Sequence, residues 1–439
     1  MRTLKSLVCT VLALCGTVAS AQTESPYVRV VDADENTVRL DVAVRTLVPN
    51  DPAAPIVHLV GAVHIADAPF YTAVQSFLDV HDIVLYEGVG GAREPAADAD
   101  AGEQAAGTLT ARRLVFLAML SDAVVTDGGE RPRTLDDLGN AFGGAVRSLV
   151  TAASRDGWGH DIQLSDDGFD AVSLGADAEA GGTGLDADLR GRFLLDNPPT
   201  IVPDPDAAGM QRDLADALGL TFQLDGIDYS LPHWRNSDLS IAEIQEALGG
   251  PPASDVASGS PAPSGGKRQP ASRGEMSETA QAADALFQTL SGESFLAKIS
   301  GFLIKTVGAS PQGRALVKVM LAETLSQAEA LLGAQPGAIG DLMKVIIEDR
   351  NVAVVDDLRA LISDEPEVRT VAIFYGAGHF GDLEARINEE LGYTYEGSLW
   401  IPAMTIDLEK AGLSASQVGM YRAMMRRMLE SQLKAVKKN

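Results

Sequence analysis

Hydrophobic positions in this chain follow two rhythms. "YVRVVDADENTVRLDVAV", residues 27–44, alternates apolar and polar positions about a polar turn, and that period of two predicts a β-hairpin. Its turn, "DADEN" at 32–36, resembles the start of a calcium loop. It lacks the glycine and distal glutamate such a loop needs, so a plain hairpin turn is expected. Three other segments are almost continuously apolar: "PIVHLVGAVH" (55–64), "HDIVLYE" (81–87) and "TVAIFYGAGH" (370–379). Such runs suit strands covered on both faces. Between the first two, "DAPFYTAVQSFLDVH" (67–81) puts Phe70, Val74, Phe77 and Leu78 on one side, with Asp67 placed to cap and Pro69 in the first turn. That pattern predicts an amphipathic helix, and strand–helix–strand predicts a βαβ unit with parallel strands.

The organisation that follows is α/β: a central mixed, largely parallel sheet flanked by helices, with a large, mostly helical insertion between the two sheet halves. An α+β arrangement is the alternative. Residues 22–90 hold the first half of the core, 91–107 a flexible acidic loop, and 108–248 the helical insertion, with an exposed Asp- and Gly-rich loop over 164–190. A linker rich in Pro, Gly and Ser occupies 249–276, helical patterns resume over 277–362, and 363–412 form the second half of the core. The last segment, 413–439, reads as a basic helix with Tyr421, Met424, Met425 and Met428 on roughly one face. A membrane-surface role is one reading of it. Docking on an acidic body, with its cations near the helix C-terminus, is the simpler one.

The chain starts "MRTLKSLVCTVLALCGTVASAQ", in which Arg2 and Lys5 precede a short apolar run and Ala19-Ser20-Ala21 matches a cleavage site. Residues 1–21 are therefore expected to be a signal peptide, and the protein exported, periplasmic or secreted, with no transmembrane segment after cleavage. A lipoprotein signal acylated at Cys15 is disfavoured by the bulky Leu14 before it. Both cysteines, Cys9 and Cys15, lie in this leader, which removes disulfides, cysteine nucleophiles and thiolate metal sites from the mature chain. The net charge of −26 argues against nucleic acid as a partner and against general binding to anionic lipid.

Each continuous strand ends in an ionisable residue: His64, Glu87 and His379. Ligands of open α/β sheets bind outside the carboxyl ends of the strands. Three adjacent strands would bring two imidazoles and a carboxylate to one cleft. That set suits a divalent metal, Mn, Co or Zn, or an acid/base pair. Gly61, Gly376 and Gly378 are expected to let the backbone turn sharply and a substrate approach. Farther along, Arg350 in "EDRN" could orient Glu87 or clamp an anion, with Asn351 beside it. His58 falls at the far end of its strand, about 20 Å from His64. His81 is read as a cation favoured by the helix terminus it closes. His160 and His233 sit in loops without an evident partner.

"GAVH" after an early strand, a strand-ending "YE", "EDRN" on a late helix and "GAGHFGDL" together resemble the TraB/PrgY/GumN family, which includes the TIKI proteins. That family is similar to a wider group holding erythromycin esterases and haem-binding ChaN-like proteins. The resemblance covers about 45–90 and 340–410, and "IDYSLPHWRNSDLSIAEI" (227–244) looks like a further segment with Asp238 in its acidic position. It implies an α/β core, a metal-dependent peptidase activity, and a site of His64, Glu87 and His379 with Arg350 and Asn351 behind it. Two other readings follow from the same relatives: a metal-independent esterase-like hydrolase, and a non-catalytic protein that holds a peptide or haem. The long acidic and Pro-rich insertions depart from a minimal member, and they bear on preference for the expected substrate, a peptide or a small molecule.

Overall fold

Two antiparallel strands open the fold: β1 (Val28–Asp34) and β2 (Thr37–Pro49), paired from Val28↔Val42 to Asp34↔Thr37. They belong to a computed structural model that describes residues 25–88, 102–168, 170–198, 210–240, 243–244, 310–327 and 344–436. The expected leader and the 249–276 linker lie outside the described residues.

After the hairpin come β3 (Ile56–Ala62), helix α1 (Ala68–Leu78) and β4 (Ile83–Tyr86). Pro69 sits in the first turn of α1, but Asp67 does not cap it. The carboxylate accepts instead from Thr405 N–H at 2.7 Å and faces Lys318 at 3.4 Å, tying the chain after β3 to a distant strand. Next are α2 (Glu103–Thr126), α3 (Leu135–Ala141), α4 (Gly144–Ala152), α5 (Gly191–Asp196) and α6 (Met210–Leu218). Helix α2 begins inside the stretch expected to be loop. Its residues Leu114 to Leu120 are buried on every side, which makes it an internal helix rather than a surface one. The Asp- and Gly-rich stretch expected to be an exposed loop carries three short strands in a small antiparallel sheet of its own.

Strand β5 (Trp234–Asn236) comes from the region expected to be a helical insertion, yet it joins the main sheet beside β4. Helix α7 (Pro311–Leu325) follows, then a π-helical turn over Lys344–Asp349 that runs directly into α8 (Arg350–Asp364). Strand β6 (Thr370–Gly376), a 3-10 turn over Ala377–His379, α9 (Phe380–Leu391), β7 (Tyr393–Asp407) and α10 (Ala415–Val436) complete the chain.

The seven strands form one mixed sheet in the order β1-β2-β3-β6-β4-β5, with β7 paired to β2. Strands β3, β6, β4 and β5 are parallel; β1, β2 and β7 add antiparallel pairs at the other side. This is the α/β fold expected from the apolar runs. The last parallel strand in sequence, β6, inserts between β3 and β4. Register sets Ile373 opposite both Leu59 and Leu85, and all three are almost fully buried. Each such side chain contributes about 1.5–3 kcal/mol of burial free energy, so the centre of the parallel sheet is also the centre of the core.

The C-terminal helix docks on the body through Val418, Arg422 and Met425, while Met420, Met424 and Met428 stay exposed. Its anchor is Glu323 on α7, 1% exposed, which accepts from Arg422 Nε at 2.5 Å and from Arg426 Nε at 2.8 Å. Arg422 also pairs with Asp32 of the first hairpin. No described helix is long and apolar enough to cross a membrane.

Candidate active site

The order β3-β6-β4 makes the three strands that end in ionisable residues immediate neighbours. Gly376 pairs with Ala62, and Phe374 with Tyr86, so the strands leave the sheet almost level. Glu87 follows β4 by one residue, and its N–H donates to the Phe374 carbonyl at 3.0 Å. His379 closes the 3-10 turn after β6, and His64 follows β3 by two residues.

Glu87 is the hub. Its Oε2 accepts from Gly376 N–H at 2.8 Å, and its Oε1 accepts from Arg350 Nη2 at 2.7 Å. A Cβ on residue 376 would lie 3.3 Å from Glu87 Oε2, so glycine there makes room for this carboxylate. Gly61 has a different function: a Cβ would come within 2.4 Å of Val42 on β2, so it permits the close approach of two strands. None of Gly61, Gly376 and Gly378 has a left-handed backbone. The expectation that all three serve a sharp turn is therefore replaced by close packing at two of them.

Arg350 is the first residue of α8 and is 7% exposed at its side chain. It grips Asp238 with Nε at 2.8 Å and Nη2 at 2.6 Å, besides bonding Glu87. The Asp238 side chain is fully buried and also accepts from Gly88 N–H at 3.0 Å and Leu239 N–H at 2.8 Å. Nε and Nη2 of this guanidinium are committed to two carboxylates, so Arg350 positions the site. Burial works to raise the Glu87 carboxyl, but Arg350, His379 and the Gly376 N–H outweigh it and hold the group below its ordinary range. Burial opposes the Arg350 charge, and the carboxylates of Asp238 and Glu87 overcome it.

The tautomer of His379 follows from its neighbours. Asn351 Nδ2 donates to the His379 carbonyl at 3.1 Å and to Asp382 at 3.0 Å, so its Oδ1 is the atom turned to the imidazole. Oδ1 accepts at 2.8 Å from His379 Nδ1, which must carry the proton. Nε2 then bears the lone pair, 3.9 Å from Glu87 Oε1. Burial lowers the pKa of His379, partly opposed by Glu87, which keeps the ring neutral near neutral pH. Tyr375 packs edge-on against this ring at 5.2 Å, and its hydroxyl donates to the Ser237 carbonyl. Asn351 is thus the residue that orients the histidine.

His64 is exposed, and its side chain makes no hydrogen bond or ion pair among the described residues. Its carbonyl accepts from Gln223 N–H at 2.8 Å, which fixes the backbone while leaving the imidazole free. Among the described residues no three His, Cys, Asp or Glu side chains stand together closely enough to hold one ion. Glu87 and His379 are brought together; His64 faces solvent on the neighbouring strand end.

His58 and His81 are structural. His58 Nδ1 and His81 Nε2 share a hydrogen bond of 2.9 Å in the core, and His81 Nδ1 bonds the Phe77 carbonyl at 2.9 Å. His81 is not a helix-end cation: burial pushes it down to about 4, and it is neutral. Sequence reasoning passed over Tyr375 and Ser237, whose only signal is a tyrosine directly before "GAGH". It reached Asp238 through resemblance alone. A cavity of about 730 Å³ lies elsewhere, and Glu87, Arg350 and His379 do not line it. Searches of protein-family models, of curated proteins and of solved structures found no match to this chain.

Proposed function

We propose that this chain is an exported hydrolase of the TraB/PrgY/GumN type, acting on peptides, with His379 and Glu87 at its reaction centre and His64 as the third group. The observation that supports this reading most directly is the unprotonated Nε2 of His379, held 3.9 Å from Glu87 Oε1 at the carboxyl edge of the sheet. Charge balance adds to it. Arg350 is one cation between two carboxylates, so with a neutral His379 the cluster carries one unbalanced negative charge.

The donor set fits a divalent metal in part. A metal–ligand bond of about 2.0–2.2 Å puts neighbouring donor atoms about 3–4 Å apart, the spacing of Nε2 and Oε1. His64, on the next strand end, would complete the set by turning inward. A bound metal would polarise a scissile carbonyl and acidify a water. This chain's own residues supply the rest. Asn351 keeps the Nε2 lone pair toward the cleft, Arg350 and the Gly376 N–H keep Glu87 ionised, and Asp238 holds Arg350 in place. The pairing of Glu87 with Arg350, and the absence of a three-ligand cluster among the described residues, favour a second reading. In it His379 is a metal-free general base and Glu87 its anionic neighbour.

The test is turnover of peptide and ester substrates with and without chelation. Peptide cleavage that needs Mn²⁺, Co²⁺ or Zn²⁺ and is lost in His379→Ala and Glu87→Gln is the expected result. Cleavage that survives exhaustive chelation yet still needs His379 moves the chemistry to the metal-free base. Turnover retained in His379→Ala overturns both.

A further inference from the structure

We propose that the cleft between the first hairpin, β7 and helices α2 and α5 binds a small zwitterion, a short peptide with both termini free. The cleft encloses about 730 Å³, within the range of small-ligand sites. It lies apart from Glu87 and His379, and the proposal does not depend on their chemistry.

One wall carries surplus positive charge. Arg29 and Arg39 share a single carboxylate, Asp41, which is fully buried. Arg29 donates to Asp41 Oδ2 through Nε and Nη2 at 3.3 and 3.2 Å. Arg39 donates through Nε at 2.6 Å and Nη2 at 2.9 Å. Nη1 of each has no partner among the described residues, and both residues line the cleft. Arg29 is further fixed over the Trp400 ring at 4.1 Å. Two guanidiniums held rigid with a donor each to spare form a receptor for one carboxylate.

The helical side of the cleft, α2 and α5, carries surplus negative charge. Arg192 pairs with Asp122 and, at 3.3 Å, with Asp196, so one cation serves two carboxylates. Asp127, at the end of α2, makes no contact ion pair among the described residues. Asp41 chiefly, and Asp127 across the cleft to a smaller extent, hold Arg39 protonated against burial. Surplus charges of opposite sign thus line one cleft, and no contact ion pair joins Arg29 or Arg39 to Asp127 among the described residues. Met119, Leu195, Ile401 and Pro402 line the same cleft, and they suit an apolar side chain. A ligand with a carboxylate at one end, an ammonium at the other and an apolar middle matches all three features.

The test is calorimetric titration of the full chain with alanyl-leucyl-alanine, its N-acetyl form, its C-terminal amide and the doubly capped form, each confirmed intact afterwards. Each cap should weaken binding about tenfold, the worth of one charge-assisted contact. Asp127→Asn should abolish the penalty for acetylation and leave the penalty for amidation. Arg39→Gln should do the reverse, a crossed pattern that unfolding does not produce. Trp400→Phe should remove the fluorescence change on binding. Equal affinity for free and doubly capped peptide, no saturable binding of the free peptide up to about 1 mM, or penalties unchanged in both variants would each overturn the proposal.

Discussion

Arg350→Leu isolates the ion cluster that holds the candidate site together. The substitution keeps much of the apolar bulk but removes three charge-assisted hydrogen bonds, two to Asp238 and one to Glu87. The two carboxylates respond differently. The Asp238 side chain is fully buried and keeps only the N–H groups of Gly88 and Leu239, so its charge is stranded. Glu87, with 24% of its side chain exposed, keeps the Gly376 N–H and can recruit water. Breaking a buried pair costs about 3–5 kcal/mol, chiefly for the charge left behind. Most of that loss should therefore come from Asp238, and adding Asp238→Asn should recover more than half of it. The assay is urea denaturation of the wild type, both single variants and the double variant, read as a double-mutant cycle. A coupling of about 2 kcal/mol or more is expected between positions 350 and 238. Additivity within about 0.5 kcal/mol would show that the cluster contributes no cooperative stability and would refute the reasoning.

Two further outcomes follow from groups that titrate. Asn351→Asp places a carboxylate on His379 Nδ1 and should raise the histidine's pKa, moving any acid limb of activity to higher pH; an imidazole titration by NMR that stays put would contradict the assigned contact. Burial pushes His81 down to about 4 and, with the neighbouring His81, drives His58 well below its ordinary value. A depressed histidine contributes stability that is complete above an unfolded pKa of about 6.5 and is lost as pH falls toward the folded value, here about 3 kcal/mol for His81 alone. Burial raises Asp79 to about 6 and acts with the opposite sign in that window, so the readout is a difference. His58→Leu/His81→Leu should flatten the stability–pH curve between about pH 7 and 4 relative to wild type, and parallel curves would sink the claim.

The sheet and half of the candidate site could be read in the sequence because their signals are local. Continuous apolar runs marked β3, β4 and β6, and the alternating run marked the first hairpin. Two chemical groups at the strand ends, Glu87 and His379, needed only the rule that parallel sheets bind at their carboxyl edge. What stayed hidden depends on long-range pairing. Trp234–Asn236 is too short to announce a strand, and it is one only because β4 offers an unpaired edge. Asp238 carries no sign of burial until Arg350 arrives, 112 residues later in the chain. Asp67 has the sequence of a helix cap and is recruited elsewhere because β7 brings the Thr405 N–H within reach. His58 looked misplaced and His81 charged because each was judged alone, whereas they bond one another in the core.

The charge balance of the ion cluster bears on the proposed function. Burying two carboxylates with one guanidinium is a poor way to stabilise a fold, since apolar residues of the same volume are often equal or better. A purely structural cluster would be expected to balance its charges. Here the imbalance sits beside a histidine whose free lone pair is fixed by a neighbour, and the opening to solvent falls at Glu87 rather than at the sealed Asp238 side chain. The buried aspartate thus secures the arginine, the arginine holds the glutamate ionised, and the surplus negative charge is presented at the exposed end. Under the function proposed above, a cation, whether a metal or a proton taken up by His379 Nε2, is the partner that this arrangement would serve.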